Sequence, residues 1–130
     1  MSLGGLFADS DSETEAFEQH YEEQVVNMID TELTIRQYSW HMANANKIWP
    51  GAFALAGYIA SHTSHYSGRI LELGAATGAL SIYMTKKFAF DMVTSDIDDG
   101  GDVEHNIKYN FERNGKEMFS FSQITHIQAS

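Results

Sequence analysis

The stretch RILELGAATGALSIYM, residues 69 to 84, constrains this chain more than any other. It runs apolar to Leu73, breaks at Gly74, Ala75, Ala76, Thr77 and Gly78, and resumes with Ala79, Leu80, Tyr83 and Met84 at helical spacing. A change of period across a small-residue turn is the pattern of a strand that feeds a helix. Two reasons for the turn stay open on these residues alone. It either serves tight packing or brings the backbone close to a ligand.

The same alternation extends on both sides. PGAFALAGYIASH, behind Pro50, predicts a helix, because proline is tolerated in a first turn. RILEL reads as a short buried strand and GALSIYMTKKF as a helix whose lysines sit at its C-terminal end, as the helix dipole favours. DMVTSD is a second strand, DVEHNIKYNFERNG a second crossover helix stopped by Gly115, and ITHIQA a third strand. An αβαβαβ order with short connections implies parallel strands joined by right-handed crossovers. The fold class is therefore α/β, a Rossmann-like parallel sheet with flanking helices.

Ahead of this layer, Phe17, Tyr21, Val25 and Met28 recur at three- and four-residue spacing and predict a short amphipathic helix. ELTIRQYSW alternates as a strand, with HMANANKI as its return strand in a hairpin. The expected organisation is a disordered acidic leader over 1–13, a helix and hairpin extension over 14–48, and a partial Rossmann-like domain over 49–130.

Composition narrows the function classes. A chain of 130 residues is one domain or a piece of one, and 43% apolar content suffices for a core. No run approaches the roughly 20 apolar residues of a membrane span, and no basic-then-apolar signal opens the chain. Without cysteine there is no disulfide framework, thiolate catalysis or cysteine-ligated zinc, which fits a cytoplasmic protein, or a nuclear one. The net charge is −10, and residues 1–30 hold eight acids and no Lys or Arg, so the remainder is nearly neutral. That arm disfavours nucleic-acid phosphates; a solvated leader or a contact with a basic protein stays open.

In α/β sheets ligands sit beyond the carboxyl ends of the strands, where the 74–78 turn falls. The dinucleotide fingerprint G-x-G-x-x-G would need glycines at 74, 76 and 79, and both Ala76 and Ala79 depart from it. The five-residue form G-x-G-x-G fits better, with Gly74 and Gly78 in place and only Ala76 departing. Asp96 ends the second strand 22 residues after Gly74, where a carboxylate accepts both hydroxyls of a ribose. Asp98, Asp99, Asp102 and Glu104 read as a solvated loop with helix-capping acids. A calcium loop fails, since its twelfth position would be Ile107. His62 and His65 would hold a metal only with a third converging ligand, and no metal is expected.

These residues resemble class I, seven-strand S-adenosylmethionine-dependent methyltransferases, and more closely the family-16 branch that contains protein-lysine methyltransferases. ILELGAATGALSI is similar to that branch's E-L-G-A-G-T-G motif, KIWPGAFALAGYI to its Trp and small-residue helix, and VTSD with VEHNIKYNFERNG to its acidic strand end and Asn-rich helix. The resemblance spans about residues 33 to 128. It implies S-adenosyl-L-methionine as cofactor, with Glu72, Gly74, Ala75 and Gly78 around the methionine part, Asp96 on the ribose and Trp49 closing the pocket. Glu72 would meet the cofactor's amino group, and the methyl group at Ala76 would cost only local clearance. Asn106 and Asn110 are expected to serve capping or buried hydrogen bonding.

The acceptor implied is a protein side chain of the lysine type. Acceptor-gripping residues would follow a fourth strand, so the chain reads as an incomplete N-terminal half, inactive alone. The alternative is a non-catalytic cofactor- or partner-binding half-domain from a shortened isoform. In either case the strand at 69–73 is left with an open edge for self-association.

Overall fold

A computed structural model describes residues 18–97, 100–118 and 120–123. The parallel layer follows the expected order. Helix α1, Pro50–Ser61, leads through a 3₁₀ turn at Thr63–His65 into β3, Arg69–Glu72. Helix α2, Ala79–Phe88, strand β4, Asp91–Asp96, helix α3, Asp102–Arg113, and strand β5, Ser120–Gln123, complete it. Strands β3, β4 and β5 form one parallel sheet in that order, with Leu71 beside Val93 and Thr94 beside Phe121. This is the α/β architecture expected, and it places the C-terminal ends of β3 and β4 side by side.

Helix boundaries follow local chemistry. Pro50 opens α1 with a φ already suited to a helix, behind an extended Trp49. Helix α2 starts from Gly78 at φ 84° and ends on Ala89 at φ 55°, with Lys86 and Lys87 in its last turn. Asp102 and Glu104 lie in the first turn of α3 and Arg113 in its last. The core between these elements is made by Ala56, Ile59, Leu80, Ile82, Tyr83, Met84, Met92, Val103, Ile107 and Phe111.

Two sequence expectations are corrected here. The helix expected over the region of Tyr21 to Met28 is instead strand β1, Tyr21–Met28, paired antiparallel with β2, Thr31–Tyr38. The helical stripe grouped Val25 with Met28, whereas a period of two groups Val26 with Met28. Met28 is buried, Val26 packs on the core, and Val25 is exposed. Residues 41–48 are accordingly turns and irregular chain rather than the return strand, because β1 fills that role through the two-residue loop Ile29–Asp30. The third parallel strand lies at Ser120–Gln123; the expectation for residues 124–129 falls outside the described residues, as do those for residues 1–17.

The hairpin β1–β2 is bound to the parallel layer by asparagines. Asn106, Asn110 and Asn114 stand four residues apart on and just beyond α3, a rise of about 6 Å per step. Alternate residues of a strand are about 6.7 Å apart, so side-chain amides at helical spacing can follow a strand's backbone. Asn114 Oδ1 accepts the Thr34 N–H at 2.9 Å and its Nδ2 donates to the Thr34 carbonyl at 2.8 Å. Asn110 repeats the pair on Arg36, at 2.8 and 3.1 Å. Asn106 donates to the Arg36 carbonyl at 3.0 Å and accepts from its Nε at 2.7 Å. The Arg36 guanidinium lies between the Tyr21 and Tyr109 rings, 4.4 and 3.8 Å from their centroids. The buried hydrogen bonding expected of Asn106 and Asn110 is what the fold uses.

Candidate functional site

The turn after β3 is built on alternating left-handed residues: Gly74 at φ 67°, Ala76 at φ 54° and Gly78 at φ 84°. Glycine adopts this conformation freely, while Ala76 is held in it at a cost of about 1 kcal/mol. The left-handed backbone is thus a cost of this residue in addition to the local clearance expected from sequence. Four contacts hold the backbone. The Ala75 N–H donates to the Ser95 carbonyl at 2.9 Å, and the Ala76 N–H to Asp96 Oδ2 at 2.7 Å. The Gly78 N–H closes on the Ala75 carbonyl at 2.8 Å, and Asn110 Nδ2 donates to the Thr77 carbonyl at 3.0 Å.

Beside this turn lies a cavity of about 310 Å³. Its apolar walls include Ile48, Trp49, Leu55 and Leu80, its floor the backbone of Gly74 to Thr77, and its polar group Glu72. A Cβ at Gly74 would meet no atom within 4 Å, so glycine there leaves the space beside the backbone open. Trp49 is 45% exposed, and its indole N–H donates to the Asn44 carbonyl at 2.9 Å, which fixes the ring at the cavity rim. Asn44 itself stands at φ 57°, a conformation asparagine tolerates.

Glu72 is partly buried and accepts a hydrogen bond from the Ser81 hydroxyl at 2.5 Å. Burial pushes its carboxyl up to about 7, against the pull of the Ser81 hydrogen bonds and with a further push from the Asp96 charge. Among the described residues it forms no ion pair with Lys, Arg or His. A carboxyl so placed is suited to a cation arriving from the cavity.

Of the six residues expected at a site, Trp49, Glu72, Gly74 and Ala75 line this cavity together. Asp96 and Gly78 do not. The Asp96 carboxylate is buried and bonded to backbone, with Oδ2 on the Ala76 N–H and Oδ1 on the Ile97 N–H at 2.6 Å. Gly78 faces α3, where an added Cβ would come within 3.0 Å of Ile107 Cγ2, so it secures helix packing. Ser81, Asn44 and Asn110 are the supports that sequence reading assigned no part in the site. His62 stacks on Tyr58 at 4.1 Å and lies 5.2 Å from the His65 ring; among the described residues no third metal-ligating side chain joins them.

A family model described as lysine methyltransferase matches residues 27–128, which is most of the chain and includes every element from β2 to β5. No curated protein matches it. No helix among the described residues is long and apolar enough to cross a membrane.

Proposed function

The chain belongs to the lysine methyltransferase family, class I S-adenosylmethionine-dependent methyltransferases, and on that premise we propose that its cavity beside Gly74 is the methyl-donor site. The observation that carries the proposal is Glu72, a carboxyl raised to about 7 at the wall of a cavity and without a cationic partner among the described residues. The cavity's 310 Å³ lies at the lower end of the roughly 300–1,000 Å³ typical of small-molecule sites. Its mixture of apolar wall, open glycine backbone and one carboxyl fits a zwitterionic ligand with an aromatic base.

The residues proposed to hold S-adenosyl-L-methionine are Trp49, Glu72, Gly74, Ala75, Gly78 and Asp96. Glu72 would bind the amino group, and the backbone of Gly74 and Ala75 would lie against the methionine part. The Trp49 ring would close the rim and exclude water. Each Asp96 oxygen takes one backbone N–H and retains a second acceptor direction, which supports a role toward ribose hydroxyls. Gly78 would act by holding the start of α2 and Ile107 close to the turn. When bound, the cofactor supplies a methyl group already activated by its sulfonium. The protein's contribution is then position and dryness rather than acid–base chemistry.

The acceptor proposed is a lysine-type side chain of a protein, with neither nucleic acid nor membrane among the partners. The acidic residues clustered in 1–30 support that choice. The domain division proposed runs through a leader over 1–13, an extension over 14–48 and the donor-binding domain from 49. A cytoplasmic or nuclear setting accords with a chain that has no cysteine. Calorimetry with S-adenosylhomocysteine and, separately, NAD tests the ligand class. Saturable binding of the first and none of the second is expected; tight NAD binding without S-adenosylhomocysteine binding overturns the proposal.

A further inference from the structure

Asn110 is fully buried, and its one amide group bonds three backbone groups on two separate segments. Oδ1 accepts the Arg36 N–H, while the two Nδ2 protons go to the Arg36 carbonyl and the Thr77 carbonyl, at 3.1 and 3.0 Å. Thr77 is itself buried, so that carbonyl has no water to replace the amide. Its neighbours Asn106 and Asn114 bind β2 through the same chemistry, and among their described bonds none reaches the glycine turn. One rung of the asparagine ladder thus touches both the N-terminal hairpin and the turn that floors the cavity.

We propose that Asn110 is a positioning residue for the methyl-donor site, and that it holds the shape of the 74–78 turn through the Thr77 carbonyl. The inference rests on the donor-site reading of that turn. The physical need arises at Ala76. Its left-handed conformation is unfavourable for an L-residue with a side chain, so it persists only while both sides of the turn are anchored. Asp96 anchors the side toward β4 through the Ala76 N–H, and Asn110 anchors the side toward α3 through the Thr77 carbonyl. Removing the second anchor leaves a buried carbonyl unpaired and frees the turn to relax toward ordinary backbone angles. The cavity floor would then move although no residue that lines it beside Gly74 has been changed.

The test separates positioning from general stability by comparing two rungs of the same ladder. Asn114→Ala removes hydrogen bonds to Thr34 and the one to the Asn110 carbonyl, and Asn114 makes no direct contact with the turn; Asn110→Ala removes those to Arg36 and the one to Thr77. Amide hydrogen exchange is measured on both, together with melting and S-adenosylhomocysteine affinity. The expected result is faster exchange at the Ala76 and Gly78 amides in Asn110→Ala alone, with binding weakened about tenfold relative to Asn114→Ala. Where alanine at 110 prevents folding, Asn110→Leu retains most of the volume and takes its place. In the unsubstituted chain the Asn110 side-chain amide protons are expected to exchange slowly. Rapid exchange there, or equal exchange and affinity in the two variants, overturns the proposal. Failure of the unsubstituted chain to bind S-adenosylhomocysteine would instead overturn the donor-site reading, and the exchange comparison would still decide the role of Asn110.

Discussion

Asp96 and Ala76 are joined by a 2.7 Å hydrogen bond from backbone N–H to carboxylate that ties the end of β4 to the most strained residue of the neighbouring turn. The carboxylate is thereby given a structural task in addition to the ribose contact proposed for it. The two tasks predict different consequences for different substitutions.

Asp96→Ala is expected to lower stability by about 1–2 kcal/mol through the lost backbone contacts, and to weaken S-adenosylhomocysteine binding by about 1.5–3 kcal/mol. Asp96→Asn keeps one acceptor oxygen and should recover part of the stability while still losing affinity. Asp102, exposed in the first turn of α3, serves as the comparison, and Asp102→Ala should shift either quantity by only a few tenths of a kcal/mol. Melting and calorimetry on the same three variants decide it. Equal losses of affinity from Asp96→Ala and Asp102→Ala would reject the ribose assignment.

Glu72 makes stability depend on pH in a direction opposite to that of a salt-bridged carboxylate. Its folded value of about 7 lies above the ordinary 4.5, so between those values the folded chain holds a proton that the unfolded chain has released. The contribution of this group is therefore fully present below about pH 4.5, falls as pH rises, and levels off above about 7. The whole excursion is on the order of 3 kcal/mol. Urea melts from pH 5 to pH 8 should show the decline in the unsubstituted chain and its absence in Glu72→Gln. An ammonium group bound beside Glu72 favours the ionised form, so affinity for S-adenosylhomocysteine should rise across the same interval. A Glu72→Gln variant with an unchanged pH profile would remove Glu72 from the account.

Ala76→Gly tests the strain directly. Glycine at φ 54° avoids the steric penalty of a left-handed alanine, and loses a small buried methyl in exchange. The balance should raise stability by about 0.5–1 kcal/mol, read as a higher melting temperature. The same substitution at Ala75, which is not left-handed, should lower it. A loss of stability at 76 equal to that at 75 would show that the turn carries no such strain.

The parallel layer was legible because its signals are local and agree. Pro50 opens a helix, Gly78 and Gly115 punctuate the next two, and RILE and DMVTSD are short runs between them that form strands as expected. The burial expected of RILEL is not met, because β3 lies at the open edge of the sheet with Leu71 and Leu73 exposed. The hairpin was not legible to the same degree. Tyr21, Val25 and Met28 satisfy a helical spacing as well as Val26 and Met28 satisfy a strand. What decides between them is the paired strand at Thr31–Tyr38, with Leu33 and Ile35 fully buried. Of the six site residues that the family resemblance implied, four meet at one cavity. The supports were not legible, because Ser81 and Asn110 act through contacts that close only after folding. The four-residue spacing of Asn106, Asn110 and Asn114 was visible throughout, but its target, the backbone of β2, was not.

The remaining expectation concerns the edge of β3. Among the described residues no strand pairs with β3 on the side away from β4, so the sheet ends there at an edge that another strand could extend. The flanking surface is apolar: Leu71 and Leu73 are 54% and 67% exposed, with Leu55 and Tyr58 exposed on α1. Parallel strands ordinarily need cover on both faces, which makes this edge poorly suited to water. In a preparation of residues 1–130 alone, the partner at hand is a second copy, and two β3 edges related by a two-fold axis would present matching leucines to each other. Sedimentation should therefore show association that strengthens with concentration. Leu71→Lys places a charge on that edge and should shift the distribution toward monomer without altering the hairpin. A chain that stays monomeric over the whole concentration range, melts in one sharp cooperative transition and transfers methyl groups would show that the β3 edge is no liability.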